Sequence, residues 1–145
     1  MSISSDKSHT DASISIVSRK SSWADLDLSL IKHAITKDIV PLKDDRAITN
    51  AVKNLILTNF YERPFQHDMG ANLSALLFEP ADFVTRIELR DSIYEVLSLY
   101  EPRVEIQKII IKDNPDKNQW DVTIKIYIKH LSVQTQVKIS LERLR

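Results

Sequence analysis

Tyr100-Glu101-Pro102-Arg103 marks the point in the chain at which the pattern of apolar residues changes. Before it, apolar residues recur every three or four positions, as in helices, and after it they alternate, as in strands. A proline does not continue a helix and biases the preceding residue toward an extended conformation. These four residues, called the joint below, therefore predict the connection between a helical half and a sheet. Glu101 and Arg103 would share one face of an extended segment, and their spacing alone indicates a solvated ion pair.

The residues after the joint predict about three antiparallel strands. From Trp120 to Ile128 every second residue is apolar, and a similar alternation follows over 133–141. The β-rich segment 104–112 precedes both, and short stretches with the composition of turns separate the three. Strands with one apolar and one polar face, joined by short connections, indicate an antiparallel sheet that is solvated on one side.

Two main helices are predicted before the joint. One spans about 45–58, with Asp44 as its N-cap and its apolar residues on one stripe. The other follows the capping-box pattern Thr85-Arg86-Ile87-Glu88 and runs into the joint. Asn72 is predicted to cap a shorter helix between them. The expected fold class is α+β, with helices packed on one face of a small C-terminal antiparallel sheet.

The chain of 145 residues fits a single domain with an ordinary hydrophobic content of 43%. Residues 1–22 are dominated by serine and are predicted to form a flexible tail. The domain is predicted to span 23–145, beginning with a short extended segment over 23–28. Gly70, the only glycine, is expected to supply a backbone angle that other residues resist.

Composition disfavours several classes of function. Twenty basic residues balance twenty acidic ones, so no overall field attracts nucleic acid or an anionic membrane. No apolar run approaches the roughly 18 residues of a membrane span. One glycine and no cysteine leave no phosphate-binding loop and no thiolate chemistry. The histidines are far apart and lack a second ligand at suitable spacing, so neither a metal site nor a cofactor is predicted.

A glycosidase would need one carboxyl group kept protonated by an apolar setting and one ionised carboxylate. Glu62 and Glu101 are each followed closely by arginine, which favours their ionised form. Asp68 also lies in a predicted loop, and Glu79 alone has an apolar flank, between Phe78 and Pro80. A structural role for Glu79, as an acceptor at a helix end, is the stronger interpretation.

An ordered series of motifs resembles a known family. The series is Glu62-Arg63-Pro64-Phe65 with Gly70 five residues beyond, then 76–80 (Leu-Leu-Phe-Glu-Pro), then Tyr100-Glu101-Pro102-Arg103-Val104. With supporting stretches at 25–28, 51–59 and 141–145, it resembles the baseplate wedge proteins of contractile-tailed bacteriophages. This sheath-initiator family also has a relative in type VI secretion baseplates, and the Glu-Arg-Pro-Phe block favours the phage branch.

The resemblance implies a structural, non-enzymatic protein of the virion tail baseplate, assembled in the host cytoplasm. Its implied partners are other baseplate wedge subunits, tail sheath subunits and the adjoining tail tube, with no nucleic acid or membrane. Glu101, Pro102 and Arg103 would dock on the wedge core, and the sheath would add strands at a free sheet edge. The implied structural motif residues are Glu62, Arg63, Pro64, Phe65, Gly70, Glu79 and Pro80.

Two features of the family leave alternatives open. It carries a lysozyme-like label, so a peptidoglycan-cleaving hydrolase is the alternative function. The sequence also departs from the family at Thr36-Lys37-Asp38, where a glycine is common at the middle position. That departure affects the expected shape of this turn.

Overall fold

The computed structural model describes residues 23–27 and 30–143, so the predicted tail and the extent of the domain stay predictions. Two short strands come first, then two helices, then three long strands. In chain order these are β1 (Ala24–Leu26), β2 (Pro41–Lys43), α1 (Asp45–Leu57), α2 (Phe83–Tyr100), β3 (Val104–Asn114), β4 (Gln119–Ile128) and β5 (Val133–Glu142).

The three C-terminal strands form an antiparallel sheet in the order β3-β4-β5. The alternating apolar residues of β4 are all buried: Trp120, Val122, Ile124, Ile126 and Ile128. β4 and β5 pair without interruption from Gln119–Glu142 to Ile128–Val133. β3 instead carries a bulge at Gln107, between Ile106 and Lys108. The predicted α+β class and the three-stranded antiparallel sheet are confirmed.

Both helices cover the apolar face of the sheet, with α1 against β5 and α2 against β3. The predicted stripe of α1 is buried through Ala47, Ile48, Val52, Leu55 and Ile56. The residues of α2 that are buried lie on one side of the helix: Thr85, Leu89, Ile93, Val96 and Leu97. The core therefore lies between the two helices and β4.

The predicted start of α2 is wrong. Asp82, not Thr85, is the N-cap, and its carboxylate accepts a hydrogen bond of 2.8 Å from the Thr85 backbone N–H. The Thr85 hydroxyl donates to the Pro80 carbonyl at 2.8 Å. The hydrogen bond from the Thr85 N–H lowers the pKa of Asp82 below its usual range. The helix therefore begins two residues before the capping-box pattern.

Asp44 occupies the predicted N-cap position of α1, although its side chain does not cap the helix, and the predicted capping role of Asn72 is wrong. Asp44 makes no side-chain capping bond to α1, and its carboxylate accepts from the Trp23 N–H at 3.5 Å. Asn72 has a left-handed backbone with φ of 46°, and the short helix after it is a single 3-10 turn, Leu76–Phe78, preceded by Ala75.

The N-terminal segment is extended as predicted, because β1 pairs antiparallel with β2. Leu26 in this segment is half exposed, the following Leu30 is 58% exposed, and Leu28 lies outside the described residues. At the turn over 34–37, Lys37 adopts a left-handed φ of 59°, the conformation that glycine adopts at least cost. Lys37 therefore adopts a backbone conformation that would suit a glycine at this position.

Candidate functional site

The joint connects α2 to β3 as the sequence predicts, and hydrogen bonds hold it on two sides. The Glu101 N–H donates to the Leu97 carbonyl at 3.0 Å, which closes the last turn of α2. The Tyr100 hydroxyl donates to the Asp68 carbonyl at 3.1 Å. On the opposite side, Lys129 donates through its N–H to the Arg103 carbonyl at 3.2 Å and through Nζ to the Pro102 carbonyl at 3.1 Å.

Glu101 and Arg103 form a bidentate ion pair. Their spacing alone indicated a solvated pair, but in the structure the pair is partly buried. Arg103 donates from Nε and Nη2 to the two carboxylate oxygens at 2.5 and 2.6 Å. Glu101 is only 5% exposed, whereas the Arg103 side chain is 36% exposed. The hydrogen bonds to Glu101 raise the pKa of Arg103, and the charges of Glu101 and Asp25 act in the same direction.

Trp23 lies over this ion pair. Its ring is 6.0 Å from the Arg103 guanidinium carbon, within the range of a cation–π contact. The same ring meets His130 edge-on at 4.8 Å between centroids. The N-terminal segment therefore covers part of Arg103, a contact that no local sequence signal indicates.

The Glu-Arg-Pro-Phe block lies in a loop, 59–70, that is closed by its own hydrogen bonds. The Glu62 carboxylate accepts from the Asn59 amide at 2.8 Å and from its backbone N–H at 2.9 Å. The Tyr61 N–H donates to the His67 carbonyl at 2.8 Å. Gly70 has a φ of +138°, as predicted, and a side chain there would collide with the Thr58 carbonyl. The loop is thus a folded unit on the domain surface.

Phe65 projects from this loop and adds nothing to the core. It is 98% exposed, and its backbone has a left-handed φ of 69°, which a bulky residue adopts at a cost. Tyr61 has a similar φ of 66°, is also exposed, and stacks at a tilt on His67 with 5.7 Å between centroids. The sequence alone does not show whether an aromatic residue at this position is exposed or packs in the core.

A cleft of about 450 Å³ brings this loop together with the joint. Arg63 and Met69 line it from the loop, and Arg63 Nη1 lies 3.2 Å from the Met69 sulfur. The other lining residues come from the joint, β1 and α1: Tyr100, Glu101, Arg103, Asp25, Leu26, Ala51, Asn54 and Leu55. Of the predicted motif residues, Glu79 and Pro80 lie elsewhere, between the 3-10 turn and α2.

The carboxylates considered for glycosidase chemistry are either exposed or already paired with an arginine. The hydrogen bonds from the Asn59 side chain and backbone lower the pKa of Glu62. Glu101 is paired with Arg103, and Asp68 and Glu79 are exposed. Within residues 23–27 and 30–143, no cluster of three metal-binding side chains occurs and no helix is long and apolar enough to cross a membrane.

The described residues form an α+β domain in which the joint and the loop 59–70 line one cleft. The sequence pattern of the family described as "Baseplate wedge protein gp25" matches residues 43–136, well over half of the chain. The chain belongs to this baseplate wedge family. A comparison with curated proteins finds no match.

Three solved structures are similar to this fold. A chain of the anti-feeding prophage baseplate is 18% identical with a TM-score of 0.66, over 73% of this chain and 85% of its own. A candidate tail lysozyme from Geobacter sulfurreducens is 16% identical with a TM-score of 0.63, over 68% and 89%. A chain of the post-contraction baseplate of pyocin R2 is 14% identical with a TM-score of 0.58, over 73% and 98%. At these identities the likeness concerns the fold.

Proposed function

We propose that this protein is a non-catalytic component of a contractile-tail baseplate wedge, which docks on neighbouring wedge subunits and initiates the sheath. The observation that carries the docking role is the surface formed by the joint and the loop 59–70. Family membership supports a place in a baseplate, and two of the similar structures are themselves chains of the prophage and pyocin baseplates.

The chemistry of this surface assigns a different task to each residue. Glu101 is buried and already paired, so it holds the Arg103 fork in place. Arg103 can contact a partner directly, because 36% of its side chain remains exposed to solvent. Pro102 is exposed and fixes the backbone between them. Phe65 supplies an apolar anchor on the neighbouring loop, and aromatic and arginine anchors dominate the energy of many interfaces.

Phe65→Ala is expected to leave folding unchanged and to weaken incorporation into baseplates. The exposed ring makes little contribution to stability, so the free energy of unfolding should stay within about 0.5 kcal/mol of the wild type. Loss of an interface anchor costs about 2 kcal/mol of binding, which is about 30-fold in affinity. Competition between tagged wild-type and variant chains during tail assembly, followed by quantitation in purified particles, measures this loss.

The matched control is Phe65→Trp, which keeps an aromatic ring at the same position. It should compete nearly as well as the wild type. Equal incorporation of Phe65→Ala and wild type would remove this residue from the docking surface.

The sheath-initiating role needs a sheet edge that accepts another strand, and β5 is suited to it. β5 is an edge strand that pairs with β4 in continuous register and contains no bulge or proline. Its exposed side chains are mostly polar: Val133, Gln134, Gln136, Lys138, Ser140 and Glu142. An uninterrupted edge presents alternate N–H and C=O groups to an incoming strand. We therefore place the added sheath strand along β5, in preference to the bulged β3.

Amide hydrogen exchange tests this placement. On adding sheath subunits to purified baseplates, the outward N–H groups of β5 should become protected by at least about tenfold, because each gains a backbone acceptor. β4 is the internal control, since it is paired on both sides before sheath is added. If β5 exchanges equally fast with and without sheath, the strand is not added there.

A further inference from the structure

We propose that the groove between α2 and the free edge of β3 binds an extended acidic segment of a second protein, which adds to β3 as a strand. This contact is separate from the docking surface and from the β5 edge. It would give the sheet a second partner on its other side.

The shape of the groove indicates a strand-like occupant. It encloses about 330 Å³ and is lined on the sheet side by four consecutive residues, 108–111. Successive side chains of a strand point to opposite faces, so a groove lined by consecutive residues follows the strand edge. β3 has β4 on one side, and its other edge has no partner strand among the described residues. The bulge at Gln107 lies just before the groove, so pairing would start at Lys108.

Helix α2 carries an apolar stripe that the core does not use, and the first two of its residues, Phe83 and Ile87, line the groove. Phe83, Ile87 and Tyr94 are spaced four and seven apart, which puts them on one face of α2. This face differs from the buried stripe through Leu89 and Ile93. Phe83 is 69% and Tyr94 56% exposed, although both are large and aromatic. A helix with a second, exposed apolar stripe fits a helix that a partner covers.

The charges at the groove are all positive. Arg86, Arg90 and Lys108 line it, and no acidic residue is among the lining side chains that the structure describes. Arg90 pairs with its neighbour Asp91 at 2.8 Å, but both side chains are more than half exposed. Such surface pairs contribute little and exchange readily for another carboxylate. In a chain with no net charge, three cations around an apolar wall favour an acidic partner with apolar side chains.

Charge also argues against other occupants. The chain's own segment 1–22 has three basic residues and two acidic ones, so it is not complementary to the groove. A second copy paired edge to edge would bring the same three cations together. A nucleic acid would satisfy the cations but leave Phe83 and Ile87 uncovered. An acidic, apolar protein segment satisfies the cations, the apolar wall and the strand edge together.

The test uses the purified full chain and two fluorescein-labelled ten-residue peptides, one alternating glutamate with valine and one alternating lysine with valine. The acidic peptide should bind saturably, at least about tenfold more tightly than the basic one, and more weakly at high salt. Hydrogen exchange should show new protection at 108–111 and none along β5. Equal binding of both peptides, no binding, or protection at β5 alone would overturn the proposal.

Charge-reversal variants locate the binding. Arg90→Glu should reduce the affinity for the acidic peptide about tenfold or more, because it places like charges together. Arg46→Glu is the matched control, since Arg46 is exposed on α1 and does not line the groove. Equal effects of the two substitutions would mean that the peptide responds only to overall charge. A single-stranded DNA probe that competes fully with the acidic peptide would instead assign the groove to nucleic acid.

Discussion

Gly70→Ala is expected to lower the free energy of unfolding by about 3 kcal/mol or more. Gly70 has a φ of +138°, a region that side chains rarely adopt, and such strain costs about 1–3 kcal/mol. A Cβ would also collide with the Thr58 carbonyl oxygen, and overpacking adds about 1–3 kcal/mol. Urea unfolding of the variant and of the wild-type full chain measures this loss. The comparison holds if both show the same dependence of the unfolding free energy on urea concentration.

The collision also breaks the loop's anchorage. The Thr58 carbonyl accepts the N–H groups of Ala71 at 3.0 Å and Asn72 at 3.4 Å, and it must move if Gly70 gains a side chain. Asn72→Gly is the matched control, because Asn72 has a left-handed φ of 46° that glycine tolerates well. It should change stability by less than about 1 kcal/mol. A Gly70→Ala protein as stable as the wild type would contradict the close approach of Gly70 to Thr58.

Arg103→Ala is expected to destabilise the domain by about 2 kcal/mol and to abolish its incorporation into baseplates. Removing one partner of a buried ion pair costs about 3–5 kcal/mol, and the partial exposure of Arg103 reduces that figure. A domain of ordinary stability survives this loss. Circular dichroism checks the fold, and quantitation in purified tail particles checks incorporation.

Two further variants separate stability from docking. Arg103→Lys keeps a positive charge beside Glu101 but loses the two-pronged geometry, so it should fold better than Arg103→Ala and still dock poorly. Arg46→Ala, at an exposed position on α1 outside both proposed contact surfaces, should lose no more than about 0.5 kcal/mol of stability and remain incorporated. Normal incorporation of Arg103→Ala would remove the docking role of the joint.

The sheet could be predicted because its signals are local. Trp120 to Ile128 alternate without exception, and a strand with one buried face imposes that alternation on its sequence. Pro102 fixed the end of α2 for a similar reason, since a proline acts on its immediate neighbours. Secondary structure in this half of the chain follows from residues that lie close together in sequence.

The start of α2 was harder to predict from the sequence because two capping patterns overlap there. Thr85 and Glu88 have the spacing of a capping box, and Asp82 and Thr85 have the same spacing one turn earlier. Both threonine and aspartate are good caps, so local sequence does not choose between them. In the structure the earlier start lets the Thr85 hydroxyl bond to the Pro80 carbonyl and bury.

The burial of Glu101 could not be predicted, because it depends on distant residues. The cleft around the ion pair is built from β1, α1 and the loop 59–70, all far from the joint in sequence. The exposure of Phe65 and its left-handed backbone were likewise not indicated by the residue types around it. The residue types of the site were therefore visible in the sequence, while their arrangement was not.

The hydrogen bonds on both sides of the joint have a mechanical consequence. A hinge requires residues that are free to change φ and ψ, and here a proline and three hydrogen bonds, from Tyr100 to Asp68 and from Lys129 to Pro102 and Arg103, remove that freedom. A displacement of the loop 59–70 would therefore be passed to the turn between β4 and β5 with little loss. When neighbouring subunits of a contracting assembly move, such a domain would keep the loop 59–70 and the turn between β4 and β5 at a nearly fixed distance.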